Sequence, residues 1–202
     1  MRGTGLPGDR PSIPHTLRRI MRIRTIFVTL AAALSLTALA ACSNGDVTAD
    51  HNEADVSFAQ DMIPHHRQAT EMATMAESQT ENTDVRELAS KITAAQQPEI
   101  DLMSGWLTSW GEEVPEETSG MDHSDGMPGM MSSEDMAALE DSSGDDFDQM
   151  FLTMMIEHHE GAIEMANTEE EKGEFTDAIE LARRIQKDQA AEIRTMEAML
   201  KS

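Results

Sequence analysis

The sequence contains a single cysteine, Cys42, among its 202 residues, and it contains no tyrosine. One cysteine excludes an intramolecular disulfide, and it excludes the thiolate clusters that bind structural zinc or iron–sulfur groups. Any metal site in this chain must therefore use histidine, methionine, carboxylate or backbone groups. A serine or cysteine nucleophile is also unsupported, because no serine lies in a catalytic motif.

Basic residues are scarce once the N-terminal leader is set aside. From Cys42 to Ser202 the chain has nine Lys and Arg against 37 Asp and Glu, a net charge of −28. This charge argues against binding to nucleic acid and against close approach to an anionic lipid surface. It favours the attraction of cations, although most of the acidic residues fit a solvated surface.

The first 41 residues have the organisation of a secretory signal peptide. A basic region precedes a mostly apolar run at 26–38, which is shorter than the roughly 20 residues of a membrane span. The run leads into the sequence LAAC at 39–42, which resembles a bacterial lipobox. The resemblance predicts a lipidated Cys42, a tether at 42–54, and an extracytoplasmic protein anchored by its lipid to the bacterial cell membrane.

The rest of the chain contains an internal duplication, which is sought first because it determines the fold. A shift of 93 positions aligns residues 58–107 with 151–200 without a gap and gives 22 identities in 50. The aligned segments include MIPHHRQATEMA at 62–73 and MIEHHEGAIEMA at 155–166. Register held over this length indicates a copied structural unit and not a chance similarity.

Each copy predicts a pair of helices, because apolar residues recur at helical spacing. The first copy has them at about 55–78 and 84–110, with Asp55 as a candidate N-cap, and the second has them at about 146–167 and 175–201. One helical hairpin cannot bury its apolar stripe, whereas two hairpins together can. The sequence therefore predicts an all-α four-helix bundle built from two duplicated hairpins.

Two prolines distinguish the copies. Pro64 and Pro98 fall inside the helices of the first copy, where the second copy has Glu157 and Ala191. An interior proline removes a backbone hydrogen bond and kinks a helix. Because Pro64 directly precedes His65, a kink would redirect the first histidine pair, and the two halves need not be equivalent sites.

The linker between the copies has an unusual composition. The domain at 55–201 divides into repeat one at 55–110, a linker at 111–133 and repeat two at 134–201. The linker is rich in glycine, serine, proline and acidic residues, which predicts a mobile loop. It also carries residues that could bind Cu(I) loosely without a preformed fold, namely Met121, His123, Met127, Met130 and Met131.

Four of the seven histidines form two adjacent pairs at matching positions of the repeat. Helical geometry places His65 over the apolar stripe and His66 at its edge, and the second pair repeats this arrangement. If the two first helices face each other, imidazoles and thioethers come together. Imidazole suits several transition metals, while thioether selects soft Cu(I). The predicted copper ligands are His65, His66, His158, His159, Met62, Met72, Met155 and Met165.

Two other interpretations stay open. Inward histidines are often hydrogen-bonded core residues, and Gln96 and Gln189 on the second helices could be their partners. The protein would then be a structural or interaction module without metal, with methionine as core filler. A ferritin-like di-metal redox enzyme would use a Glu-x-x-His motif, which neither histidine pair forms. The sequence does not identify a protein partner.

The two histidine motifs, together with MPGMMSSEDMAALE at 127–140, resemble the domain of unknown function 305 family. The resemblance covers about 55–201 and implies a secreted bacterial protein with a ferritin-like four-helix fold and no established catalytic activity. It also implies copper binding and tolerance outside the cytoplasm, with the two histidine pairs as the expected ligands. On this basis we predict a lipid-anchored protein that sequesters or delivers copper.

Overall fold

A computed structural model describes residues 51–116 and 127–201, so that Cys42, Met121 and His123 lie outside the described residues. The described residues form five helices and no strand. The helices are α1 (Glu53–Gln79), α2 (Thr83–Trp110), α3 (Ser133–Asp141), α4 (Gly144–Lys172) and α5 (Thr176–Met199). The pairs α1–α2 and α4–α5 form two hairpins, which pack against each other through α1 and α4. The prediction of an all-α fold built from two helical hairpins is confirmed.

The short helix α3 was not predicted, because its surroundings are polar and glycine-rich. Its N-terminus is nevertheless well determined by a capping box, in which the side chains of Ser132 and Asp135 bond each other's backbone N–H groups. Its one buried side chain is Leu139, which packs into the core beside α4. The helix thus begins at the last residue of the predicted linker and lies otherwise in the predicted second repeat.

The start of α1 differs from the prediction. Asn52 is the N-cap, and Asp55 is the third residue of the helix, where its carboxylate accepts the backbone N–H of Asn52 at 2.6 Å. The Asn52 amide also donates to the carbonyl of Lys172 at the end of α4. Asp55 itself reaches the start of α5, so that this cap links three helix ends.

The two interior prolines do not interrupt their helices. The helix α1 runs through Pro64, and α2 runs through Pro98. The missing N–H of a proline leaves one carbonyl of the preceding turn unpaired, which a long helix tolerates when its other faces are packed. None of the helices in the described ranges combines the length and apolar content needed to cross a bilayer.

The core consists of two apolar clusters on either side of the histidines. One cluster joins the C-terminal half of α1 to the N-terminal half of α4 and contains Met72, Phe151 and Met155. The other joins the N-terminal half of α1 to the C-terminal half of α4 and contains Met62 and Ala162. These contacts show that α1 and α4 run antiparallel, with both histidine pairs in the layer between the clusters.

An aromatic group closes one end of the bundle. Trp106 and Trp110 stack with ring centroids 6.2 Å apart, and Phe175 meets both rings edge-on at 5.4 and 5.3 Å. His51 stacks on the outer face of Trp110 at 4.4 Å. The group therefore fastens the end of α2 to the beginnings of α1 and α5.

Candidate metal site

All four paired histidines are fully buried. The rings of His65 on α1 and His158 on α4 contact each other where the two helices cross, with centroids 3.7 Å apart and planes tilted by 36°. His159 lies beside His158, at a centroid distance of 6.5 Å. His66, predicted at the edge of the apolar face, is completely covered, because the second helix of the hairpin packs over that edge.

One histidine of each pair is held by a glutamate from the second helix of its own hairpin. The distance from His66 Nε2 to Glu99 Oε2 is 2.7 Å, and that from His159 Nε2 to Glu192 Oε2 is also 2.7 Å. A carboxylate accepts a hydrogen bond and cannot donate one, so Nε2 of each imidazole carries a hydrogen. Both Nδ1 atoms are buried without a hydrogen-bond partner among the described residues, and in a neutral ring each has a free lone pair.

The other two histidines have fewer polar contacts. His65 Nε2 lies 3.1 Å from the carbonyl oxygen of Pro128 and must donate to it, which leaves Nδ1 as a buried acceptor without a partner. Neither ring nitrogen of His158 makes a hydrogen bond within the described ranges. The layer therefore contains five buried ring nitrogens that lack a partner among the described residues.

Burial keeps the two contacting rings neutral. Burial is the main cause that lowers the pKa of His65 to about 3, and the nearby His66 and His159 add to it against the opposing Pro128 carbonyl. Burial likewise lowers the pKa of His158 well below its usual value, with the neighbouring histidines as further causes. A neutral imidazole is the form that binds a metal ion.

The expected glutamine partners of the histidines are not their partners. Both polar groups of the Gln96 side chain, and the side-chain oxygen of Gln189, are buried without a hydrogen-bond partner in the described part of the chain. The residues that do bond the histidines are Glu99 and Glu192, one turn further along each helix. The sequence contained a signal for both glutamates, because Glu99 and Glu192 are identical residues at the same position of the two repeats.

The predicted methionine ligands divide between the two core clusters. Met72 and Met155 lie in the cluster on one side of the histidines, while Met62 and the half-buried Met165 lie on the other side. The four thioethers therefore fill the core on both sides of the histidine layer.

The described end of the linker packs against the helices, although its composition predicts a mobile loop. Met131 is 6% exposed and packs into the same cluster as Met72 and Leu139, while Met127 and Met130 are half-buried. The sequence does not predict that Met131 is buried, because one buried residue in a polar segment gives no periodic pattern.

The histidine layer contains the donor atoms of a metal site, but these atoms do not form a complete coordination sphere. Within residues 51–116 and 127–201, no three His, Asp, Glu or Cys side chains are grouped so as to hold an ion. The unpartnered Nδ1 atoms nonetheless fit a borderline or soft transition metal, because a buried nitrogen without a partner is costly unless something binds it. Glutamate bonded to the far nitrogen is the usual support of a histidine ligand.

Comparison with known proteins identifies similar sequences and structures from one family. The family described as a domain of unknown function (DUF305) matches residues 55–200. A DUF305 protein from Streptomyces coelicolor is 34% identical, with a TM-score of 0.67 over 73% of this chain and 92% of that chain. A DUF305 fragment from Deinococcus radiodurans is 32% identical, with a TM-score of 0.67 over 74% of this chain and 97% of that one.

A third similar structure carries copper. The protein CopM in its Cu(II)-bound form is 33% identical, with a TM-score of 0.64 over 73% of this chain and 95% of that chain. CopM has also been solved in Cu(I)-bound and silver-bound forms. No curated protein sequence matches the chain. Since the family match spans residues 55–200 and the relatives exceed 30% identity over most of their length, the chain belongs to the DUF305 family.

Proposed function

We propose that this protein binds copper outside the cytoplasm, through the buried histidine layer, and sequesters or delivers it. The observation that supports the proposal most strongly is the set of Nδ1 atoms on His66 and His159. Each is buried without a partner, on a ring whose other nitrogen is bonded to a glutamate. This is the arrangement of a histidine ligand with its supporting carboxylate.

Thioethers at both ends of the layer favour Cu(I) over harder ions. Met62 and Met72 flank the first histidine pair along α1, and Met155 and Met165 flank the second pair along α4. Imidazole and thioether together make a donor set suited to copper, whereas a single cysteine, Cys42, cannot supply the set of thiolates typical of structural zinc sites. The copper- and silver-bound forms of CopM support the same choice of metal.

The linker methionines form a second, weaker part of the proposal. Met127 and Met130 are half-buried in the described linker and remain candidates for loose Cu(I) capture, together with Met121 and His123. Met131 fits this role less well, because its side chain fills the core.

Competition titration tests the metal proposal. The purified full-length protein in detergent is titrated with Cu(I) against a chromogenic chelator, beside a variant in which all four paired histidines are replaced by alanine. We expect the native protein to withdraw copper from the chelator and the variant to lose most of this capacity. Equal competition by both proteins would exclude the histidines as ligands, and no competition by the native protein would refute copper binding.

A structural module without metal is the second candidate. It draws support from the contact between His65 and His158, which fills the crossing of α1 and α4. The two candidates differ in their effect on stability, because a ligand that binds only the folded state raises the melting temperature. Copper that leaves the melting temperature unchanged, while His158→Ala lowers it, would favour the structural module.

We further propose that a lipid on Cys42 anchors the protein to the outer face of the cell membrane. The support is the LAAC sequence at 39–42 behind a basic and apolar leader. Mass spectrometry of the N-terminal peptide tests it directly, and Cys42→Ser should move the protein from the membrane fraction to the soluble fraction.

A further inference from the structure

The linker residues Met127–Met131, here called the lid segment, lie against α1 and α4 at the level of the histidines. The carbonyl oxygen of Pro128 accepts a hydrogen bond from His65 Nε2 at 3.1 Å, and within residues 51–116 and 127–201 neither contacting ring makes another. The segment therefore covers the histidine layer on one side, and an ion that approaches from that side meets Pro128 before it meets His65.

The lid segment is clamped to α1 by a single glutamine. Gln68 Nε2 donates to the carbonyl of Met131 at 2.8 Å, and the Met131 N–H donates to Gln68 Oε1 at 2.8 Å. The amide group thus pairs with the backbone of the segment as a neighbouring strand would. The buried Met131 side chain provides an apolar anchor at the same point.

The lid segment meets α4 at a contact between two glycines. A Cβ atom on Gly161 would lie 2.1 Å from the carbonyl oxygen of Pro128 and 2.7 Å from Gly129 Cα. Gly129 has φ +74, and a Cβ atom there would lie 2.7 Å from the backbone oxygen of Glu157. Neither position accepts a side chain, so the close approach of the segment to α4 depends on both glycines.

Gln68 and Gly161 occupy the same position of the two repeats, 93 residues apart. In the first copy Gln68 bonds the lid segment, and in the second copy Gly161 leaves room for it. Both residues therefore contact the same five-residue segment. The duplicated unit has therefore diverged at this position in a way that fits one linker over a nearly symmetric histidine layer. The result is an asymmetry in which His65 is capped and His158 is not.

Pro128 also lines a cavity of about 430 Å³ whose wall is mainly acidic. The lining includes Asp61, Glu164 and the half-buried Met165, with Lys172 as its one basic residue. Carboxylates at the wall attract cations, and the thioether is a ligand for a soft one. Pro128 is thus shared between a cavity suited to collecting a soft cation and the ring that the cation must reach.

We propose that the lid segment gates the passage of copper between this cavity and the histidine layer, with the Pro128 carbonyl as the group that leaves His65 when the gate opens. The inference rests on the proposed copper-binding function. The contacts of Gln68 and Gly161 hold the lid segment in its closed position. The acidic residues of the cavity attract the ion to the lid segment.

Chemical modification of the metal-free protein tests the gate without copper. Full-length protein in detergent is treated with diethyl pyrocarbonate, and the modification rates of the peptides that contain His65 and His158 are followed by mass spectrometry. The test variants are Gln68→Ala and Gly161→Ala. The matched controls are Gln97→Ala at an exposed glutamine of α2, and Gly105→Ala at a helical glycine with open space around it.

We expect both test variants to accelerate modification, while the controls match the native protein. The loss of two ordinary hydrogen bonds changes an opening equilibrium by roughly five- to a hundredfold, and the rate with Gln68→Ala should rise within that range. Circular dichroism verifies that helix content is retained. If the Gly161→Ala protein loses its helices, Gln68→Ala alone decides, and an unchanged rate in that variant overturns the gate.

Stopped-flow transfer of Cu(I) from a chromogenic chelator provides the second readout. An open gate should speed both uptake and release by a similar factor, so that the equilibrium affinity stays within about twofold of the native value. Native protein that takes up no Cu(I) would refute the proposed function, while faster histidine modification would still show a lid. Copper binding with the same rates in the variants and controls would refute the gate and leave the function intact.

Discussion

Asp55 and Glu169 place two buried carboxyl groups against each other, one ionised and one protonated. Burial alone would raise the pKa of Asp55, but the N–H groups of Asn52, Phe175 and Glu174 and the side chain of Glu169 lower it. Burial is the main cause that raises the pKa of Glu169 to about 8, with Asp55 as the next cause. Both carboxyl oxygens of Glu169 are buried without a hydrogen-bond partner among the described residues, so no donor there stabilises its ionised form.

This carboxyl pair predicts that the protein loses stability as the pH rises from about 4.5 to about 8. Over this window Glu169 releases its proton in the unfolded chain, whose pKa is near 4.5, but keeps it in the folded protein, so unfolding becomes progressively more favourable. The slope is at most about 1.4 kcal/mol per pH unit. Urea denaturation at several pH values measures it.

The variant Glu169→Gln should flatten this part of the pH profile, because an amide does not titrate. Glu171→Gln, at an exposed position on the same helix, is the matched control and should keep the native slope. Equal slopes in all three proteins would show that Glu169 does not hold the proton.

The cap of α1 should contribute more to stability than the cap of α2. Asn52 caps its own helix and also bonds the carbonyl of Lys172 on α4, whereas Asn82 caps only α2. We expect Asn82→Ala to cost about 1 kcal/mol and Asn52→Ala to cost about 1–2 kcal/mol, because it also removes the link between hairpins. Thermal denaturation of both variants checks the order, and a larger cost at Asn82 would contradict it.

The glutamates behind the histidines should govern metal affinity and leave the fold intact. Glu99→Gln and Glu192→Gln keep the shape of the side chain but weaken its ability to orient His66 and His159. We expect each variant to lose roughly 10- to 100-fold in Cu(I) affinity. The measurement is chelator competition, with the exposed Glu180→Gln as the control. Affinity loss in only one of the two variants would show that the halves bind copper unequally.

Methionine-to-leucine substitutions separate ligand from packing roles. Met62→Leu and Met155→Leu conserve volume and should each cost less than about 1.5 kcal/mol of stability. If their sulfur atoms bind copper, Cu(I) affinity falls in both. Met103→Leu, at an equally buried methionine of α2, is the control and should change neither property by more than its packing cost. Native affinity in the Met62 and Met155 variants would assign these residues to the core alone.

The fold was accessible from the sequence because the signal was repeated. Apolar residues at helical spacing indicate a helix, and their recurrence 93 residues later supports the same assignment independently. Two matching hairpins then favour a four-helix bundle. Helix α3 escaped this reasoning because it lies outside the duplicated region, and its single buried residue, Leu139, gives no periodicity.

The site was only partly accessible, for a related reason. Identity between the repeats identified the four histidines, and it also preserved Glu99 and Glu192, but the side-chain partner of a buried ring depends on how α2 and α5 pack. The docking of the linker depends on a difference, Gln68 against Gly161, which an identity count treats as a mismatch. Divergence between copies carries structural information only after the elements that contact each position are known.

The tryptophan fluorescence of the protein comes from one end of the bundle only, where the aromatic group lies. Both tryptophans of the chain, Trp106 and Trp110, lie in that group, and there is no tyrosine to add emission from elsewhere. Intrinsic fluorescence therefore reports on the junction between α2 and the beginnings of α1 and α5, while the opposite end, with Phe147 and Phe151, is silent in this channel. Unfolding followed by tryptophan emission and by circular dichroism would show whether the two ends separate from each other across the histidine layer.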